Sequence, residues 1–130
     1  MRTKRVLLAI LLVCTAVSGG GCLLVAVGAG AAGTVAYLSG DLKAVESRSL
    51  EDVYQATFKA LEQLELMPTK ESKDALSAVV VARDAQDKKI TIKLHAPAEG
   101  STKISIRVGV FGDETKSRLI YQKIHDNLYP

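Results

Sequence analysis

Lys88-Lys-Ile-Thr-Ile-Lys-Leu-His95 and Thr102-Lys-Ile-Ser-Ile-Arg-Val-Gly-Val-Phe111 are the stretches that decide the fold. Both alternate apolar and polar residues with the two-residue period of a half-buried strand. Ile90, Ile92 and Leu94 face one way, and Thr91, Lys93 and His95 the other. Ile104, Ile106, Val108 and Val110 repeat the pattern in the second stretch. A short loop, Ala96 to Gly100, joins them. Just upstream, the Val-rich segment Leu76 to Arg83 and the polar turn Asp84 to Asp87 add a third strand. Strands joined by short polar turns predict an antiparallel meander.

Working outward, Leu66 to Glu71 reads as a further short strand. Pro68 has no N–H to give a ladder, so this strand belongs at a sheet edge. Thr34 to Glu46 reads as one strand, with Leu38, Leu42 and Ala44 on one side and Ser39, Asp41 and Lys43 on the other. Gly40 within it marks a bulge or bend. Ser49-Leu-Glu-Asp52 opens a helix that runs to about Glu65. Its apolar stripe is Leu50, Tyr54, Thr57, Phe58, Leu61 and Leu64. Gly112-Asp113 ends the last strand and caps a helix from Glu114 to Leu128, with Ile120, Ile124 and Leu128 four apart. The predicted domain, residues 34–130, is α+β: a two-layer sandwich in strand-helix-strands-helix order, with two helices on one face of an antiparallel sheet.

The chain ahead of this domain has a different composition. Of its 130 residues, none between Arg5 and Asp41 is charged. Arg2, Lys4 and Arg5 precede an apolar run, Val6 to Val17. Ser18, Gly19, Gly20 and Gly21 then lead into Cys22. A basic start, an apolar block of about a dozen residues and a small-residue exit form the pattern of a secretory signal peptide. The block alone falls short of the roughly 20 residues that span a bilayer.

A cysteine after such an exit resembles a bacterial lipoprotein cleavage site. That reading makes residues 1–21 a signal peptide, Cys22 an acylated first residue, and 22–33 a Gly/Ala-rich tether. Gly19 departs from the Leu usual three positions before the cysteine. Cys14 is a poorer candidate, because Val13 precedes it and the apolar run continues. Two alternatives stay open. Ala29-Gly30-Ala31 and Ala16-Val17-Ser18 fit ordinary signal-peptidase sites and a soluble secreted product. Val6 to Leu38 also reads as an uncleaved membrane helix, with Gly28, Ala32 and Ala36 at close-packing spacing.

Charge points to no partner. The formal net charge is +3, from 17 basic and 14 acidic residues. Setting Arg2, Lys4 and Arg5 aside leaves 14 against 14. The balance gives no overall pull toward nucleic acid. The two cysteines, Cys14 and Cys22, both precede the domain, which is left without a disulfide or thiolate metal site.

Gly28-Ala-Gly30-Ala-Ala-Gly33 fits the G-x-G-x-x-G spacing of dinucleotide sites. Those sites need a helix directly after the glycines. Only Thr34 to Gly40 follows before a breaker, so no nucleotide or other cofactor is expected. Catalytic candidates are few. His95 falls outward beside Lys93, and His125 sits late in the last helix, where its charge complements the helix dipole. Both read as surface residues. Ser105, His95 and an acid could be written as a triad, but no strained nucleophile turn supports it. No enzyme activity and no metal site are expected.

The outward phase leaves Arg83, Thr91, Lys93 and Arg107 on one sheet face as a candidate partner surface. If Val79, Val81 and Phe111 join Arg107 there, the surface becomes amphipathic and better suited to a partner.

Five segments together carry a resemblance: the glycine-rich segment around Cys22, Gly33-Thr-Val-Ala-Tyr37, Leu50-Glu-Asp-Val-Tyr-Gln-Ala-Thr57, Lys73-Asp-Ala-Leu-Ser77 and Thr102 to Asp113. They resemble a family of small bacterial lipoproteins known only as a domain of unknown function. The resemblance implies an envelope location and an α+β domain, and it brings no active-site residues. The expected role is a non-catalytic envelope module, held to the bilayer through Cys22 and binding an envelope protein or component. Leu23 after the cysteine resembles outer-membrane sorting, facing the periplasm. Two other roles stay open: a binder of a small apolar or lipid ligand near Phe58, Leu61 and Ile124, and an unrecognised hydrolase.

Overall fold

A computed structural model describes residues 35–130. The expected signal peptide at 1–21, the expected acylated Cys22, the expected tether at 22–33 and Gly28, Gly30 and Gly33 lie outside the described residues. Six strands are present: β1 (Val35–Leu38), β2 (Asp41–Glu46), β3 (Met67–Lys73), β4 (Ser77–Arg83), β5 (Lys89–Ala98) and β6 (Ser101–Val108). Helix α1 (Leu50–Gln63) follows β2, and helix α2 (Glu114–Leu128) follows β6. All strands join one antiparallel sheet in the order β1-β2-β6-β5-β4-β3.

This corrects the expected α+β two-layer sandwich in strand-helix-strands-helix order. The domain is mostly sheet, about 44% strand and 30% helix, and it is not a clear sandwich with two helices covering one face. Two side-by-side helices span roughly 20 Å, while six strands at about 4.8 Å spacing reach farther. The edge strands therefore overhang. Every residue of β3 is exposed, and β1 is at most half-buried.

The start of the domain differs for a local reason. The expected strand from Thr34 to Glu46 is, over its described residues Val35 to Glu46, a hairpin rather than one bent strand. Ser39 and Gly40 have φ of 54° and 86°. Two consecutive positive φ values make the turn whose twist suits a two-residue hairpin. At the other end, β6 stops at Val108, three residues before the expected limit. Val110, expected inward, is 82% exposed, and Phe111 next to it is 92% exposed.

The core forms where the sequence periods predict. Leu42, Val80, Ile90, Ile92, Ile104 and Ile106 are fully buried, one residue in two along their strands. Ile120 and Ile124 of α2 and Leu61 of α1 meet them. The α1 stripe is rotated from the expected one. Val53, Ala56 and Ala60 are buried, while Tyr54 and Phe58 are only partly buried. Small alanines let the helix approach closely, so the rings move to its flank. Caps fall where expected: Ser49 accepts from Asp52 N, and Asp113 accepts from Lys116 N.

At the β3 edge the register shifts between Pro68 and Lys70. At the β4–β5 turn, the Asp84 carboxylate accepts the backbone N–H groups of Gln86 and Lys88 and pairs with Lys116. Those donors hold its carboxyl below the usual range, the Lys116 ammonium first among them. The stability this turn gains is present above about pH 4 and is lost as pH falls further.

Candidate functional site

The residues between the buried positions define the outer face of the sheet. Register lines them up in three rows. The first runs Leu38, Asp41, Arg107, Thr91, Val81, Lys70. The second runs Ala36, Lys43, Ser105, Lys93, Val79, Ser72. The third runs Val45, Lys103, His95, Ser77. Arg83 and Lys89 face each other at the end of β4 and β5.

All four expected surface residues, Arg83, Thr91, Lys93 and Arg107, are on this face. Thr91 and Arg107 are direct cross-strand partners. Val79 and Val81 share the face with them. Two residues with opposite roles emerge among the four. Arg107 is a structural clamp: its guanidinium donates to Asp41 Oδ1 at 2.7 Å, to Val110 O at 2.8 Å and to Ser39 O at 2.8 Å. Arg83 donates to Asp87 O across its own turn. Lys93, by contrast, has no carboxylate within ion-pair distance among the described residues.

The face is strongly cationic. Lys43, Lys70, Arg83, Lys89, Lys93, Lys103 and Arg107 lie on it, with Asp41 paired to Arg107, Asp87 paired to Arg83, and Asp74 at the margin beside Ser77. The equal count of basic and acidic residues beyond Arg5 thus conceals an uneven distribution of charge, a signal that counting charges by strand phase reveals. Asp41, Lys43, Lys93, Lys103 and His95 line an open groove of about 510 Å³ on this face. Small Ala36 and Ser105 leave room between the lysine stems.

Crowding like charges on neighbouring strands costs stability. Replacing Lys43, Lys93 and Lys103 together by Gln is therefore expected to raise stability by about 0.5 kcal/mol at low salt, with the gain shrinking as salt screens the face. Urea unfolding at two ionic strengths measures both effects.

The sequence reading missed a second cluster. Glu46 is completely buried, in phase with Leu42 and Ala44. Tyr121 Oη donates to its Oε1 at 2.5 Å, His125 Nδ1 lies 3.1 Å from the same oxygen, and Tyr129 Oη donates to Oε2 at 3.3 Å. The three rings sit four residues apart along α2 and its end. Arg48 stacks 5.4 Å from the Tyr129 ring centre. His125 is thus corrected from a surface residue to a partner of a buried carboxylate, its side chain 23% exposed. Burial, then the Glu46 hydrogen bond and charge, push the Tyr121 phenol far above its ordinary value. The signal was present: Glu46 falls on the inward phase, and Tyr121, His125 and Tyr129 form one helical stripe.

These groups assemble no recognised reaction centre. Ser105 and His95 lie one diagonal apart on the outer face, and Asp41 beside them is held by Arg107. Among the described residues, no three His, Cys, Asp or Glu side chains gather to hold a metal. Also among them, no helix is long and apolar enough to cross a membrane.

Fold and face together define a class: a small antiparallel sheet-and-helix domain with one cationic sheet face and a buried carboxylate pinned by aromatic donors. The chain belongs to the family described as Protein of unknown function (DUF3568), which matches residues 5–127. No curated protein matches it.

Proposed function

We propose that the chain is a lipid-anchored, non-catalytic module of a bacterial envelope that docks an envelope partner on the outer face of its sheet. The observation that carries the docking role is the separation of charge. Lys43, Lys89, Lys93 and Lys103 project from one face with no carboxylate near enough to pair, among the described residues. A face built at a cost in self-repulsion is suited to an anionic partner. The anchoring role rests on the order of basic start, apolar block, glycines and Cys22. Two or three acyl chains hold a protein where one binds only reversibly, at about 0.8 kcal/mol per buried methylene. Leu23 supports placement at the outer membrane, facing the periplasm.

Intact-mass measurement of the protein extracted from membranes tests the anchor. The expected mass is that of residues 22–130 plus acyl chains. Cys22→Ser should abolish the acyl mass and leave the signal segment attached. A lipid-free chain beginning at Gly19 or Ala32 would sink this reading.

A further inference from the structure

The loop after β6 adds something that the charge alone does not. Val110 and Phe111 are the most exposed large apolar residues described, at 82% and 92%, and Leu38 beside them is 58% exposed. The loop that carries them is rigidly held. Arg107, from the outer face, bonds Val110 O and Ser39 O at once. Gly112 lies so close to the β1–β2 turn that a Cβ there would collide with Gly40 O. An exposed aromatic ring on a fixed support is a prepared contact, since little conformational freedom is left to lose on binding.

The apolar tip is fastened to the row of Leu38, Asp41 and Arg107. Lys43 and Lys93 lie one row on, about 7 Å along the strands, and Lys103 about 14 Å on. Lysines beside exposed apolar side chains match the two layers of a bilayer interface, anionic headgroups and the acyl boundary below. A soluble polyanion would use the lysines and leave Phe111 idle. The strand rows of this face contain no Phe, Tyr or Trp on which bases could stack.

We infer that this face docks on an anionic phospholipid bilayer, with Lys43, Lys93 and Lys103 at the headgroups and Val110 and Phe111 entering the interface. The inference rests on the reading that the N-terminal segment holds the chain at a membrane, and it names the surface that the sheet then meets. Docking would lay this face of the sheet against the bilayer.

The chain has no tryptophan, so Phe111→Trp introduces a sole indole reporter at an exposed position. The full chain carrying it is reconstituted in phosphatidylcholine vesicles with and without phosphatidylglycerol, using brominated acyl chains as quenchers. The expected result is blue-shifted, quenched emission only in the anionic vesicles. Adding Lys43→Glu, Lys93→Glu and Lys103→Glu should lower the ratio of docked to undocked protein about a hundredfold. The milder Gln triple variant, which removes charge without reversing it, should lower the ratio in the same direction. Equal quenching in neutral vesicles, no quenching in either, or unchanged docking of the Glu variant would each overturn the inference. Retention on dextran sulfate without quenching would overturn it too, and assign the face to a soluble polyanion. Flotation with neutral vesicles, compared for the native chain and Cys22→Ser, reports the anchor separately. Loss of quenching with flotation intact therefore condemns the docking alone.

Discussion

Tyr121→Phe is expected to destabilise the domain by about 3 kcal/mol, although it removes one oxygen atom. The phenol is the direct donor to a carboxylate with no exposed surface. Without it, Glu46 keeps His125 and Tyr129 but loses a charge-assisted bond in a medium that cannot replace it with bulk water. Glu46→Gln should cost less, since the amide oxygen still accepts. The double variant should fall short of the sum of the two, because each change removes the same bond. The pH dependence has a definite sign. The Tyr121 phenol is raised in the folded state, so the folded protein keeps that proton when the unfolded chain has lost it. Its stabilisation is full below about pH 10 and falls as pH rises beyond. The stability gap between the native chain and the Tyr121→Phe variant should therefore narrow in alkali. Urea midpoints at neutral pH and at about pH 11 would show it, and a gap that stays constant would refute the assignment.

Gly112→Ala is expected to be the second large effect, at about 2 to 3 kcal/mol. Gly112 has φ of 85°, where a side chain is strained in any surroundings. Its Cβ would also collide with Gly40 O and meet Tyr37 Oη at 2.5 Å. The hairpin turn and the 109–112 loop would have to separate. Arg107 would then lose Val110 O or Ser39 O as an acceptor. The measurement is a pair: thermal unfolding for the stability, and amide exchange at Ser39–Asp41 for the loosened contact. Faster exchange confined to these residues is the expected pattern.

Much of the sheet was legible because alternation with period two leaves little freedom. Ile90, Ile92 and Leu94, then Ile104, Ile106 and Val108, are inward as their phase requires. Pro68 predicts an edge position for its strand, and β3 is the last strand of the sheet. The helix ends at Ser49 and Asp113 followed from their caps. The failures have physical causes. Gly40 fits a bulge or bend within one strand as well as a turn, and only the pairing of Val35 with Ala44 makes it a turn. Val110 kept the inward phase in sequence, but the chain leaves the ladder after Val108 and the phase ends there. Layer coverage was misjudged because helix and strand counts say nothing of how far a sheet extends past its helices. Glu46 was missed because a carboxylate on an inward phase is normally a sign of strand termination. Here Tyr121, His125 and Tyr129, some 75 or more residues downstream, supply the donors that make burial tolerable.

The β3 edge has a consequence for how the molecule behaves when crowded. An open strand is an invitation to self-templating, in which each copy adds its backbone to the last. Pro68 removes one amide from that row, the register shift beside it breaks the even spacing, and any incoming copy would have to strip water from Lys70 and Glu71. Concentrated molecules should therefore stay separate along this border, where a flat, uninterrupted strand would seed fibres.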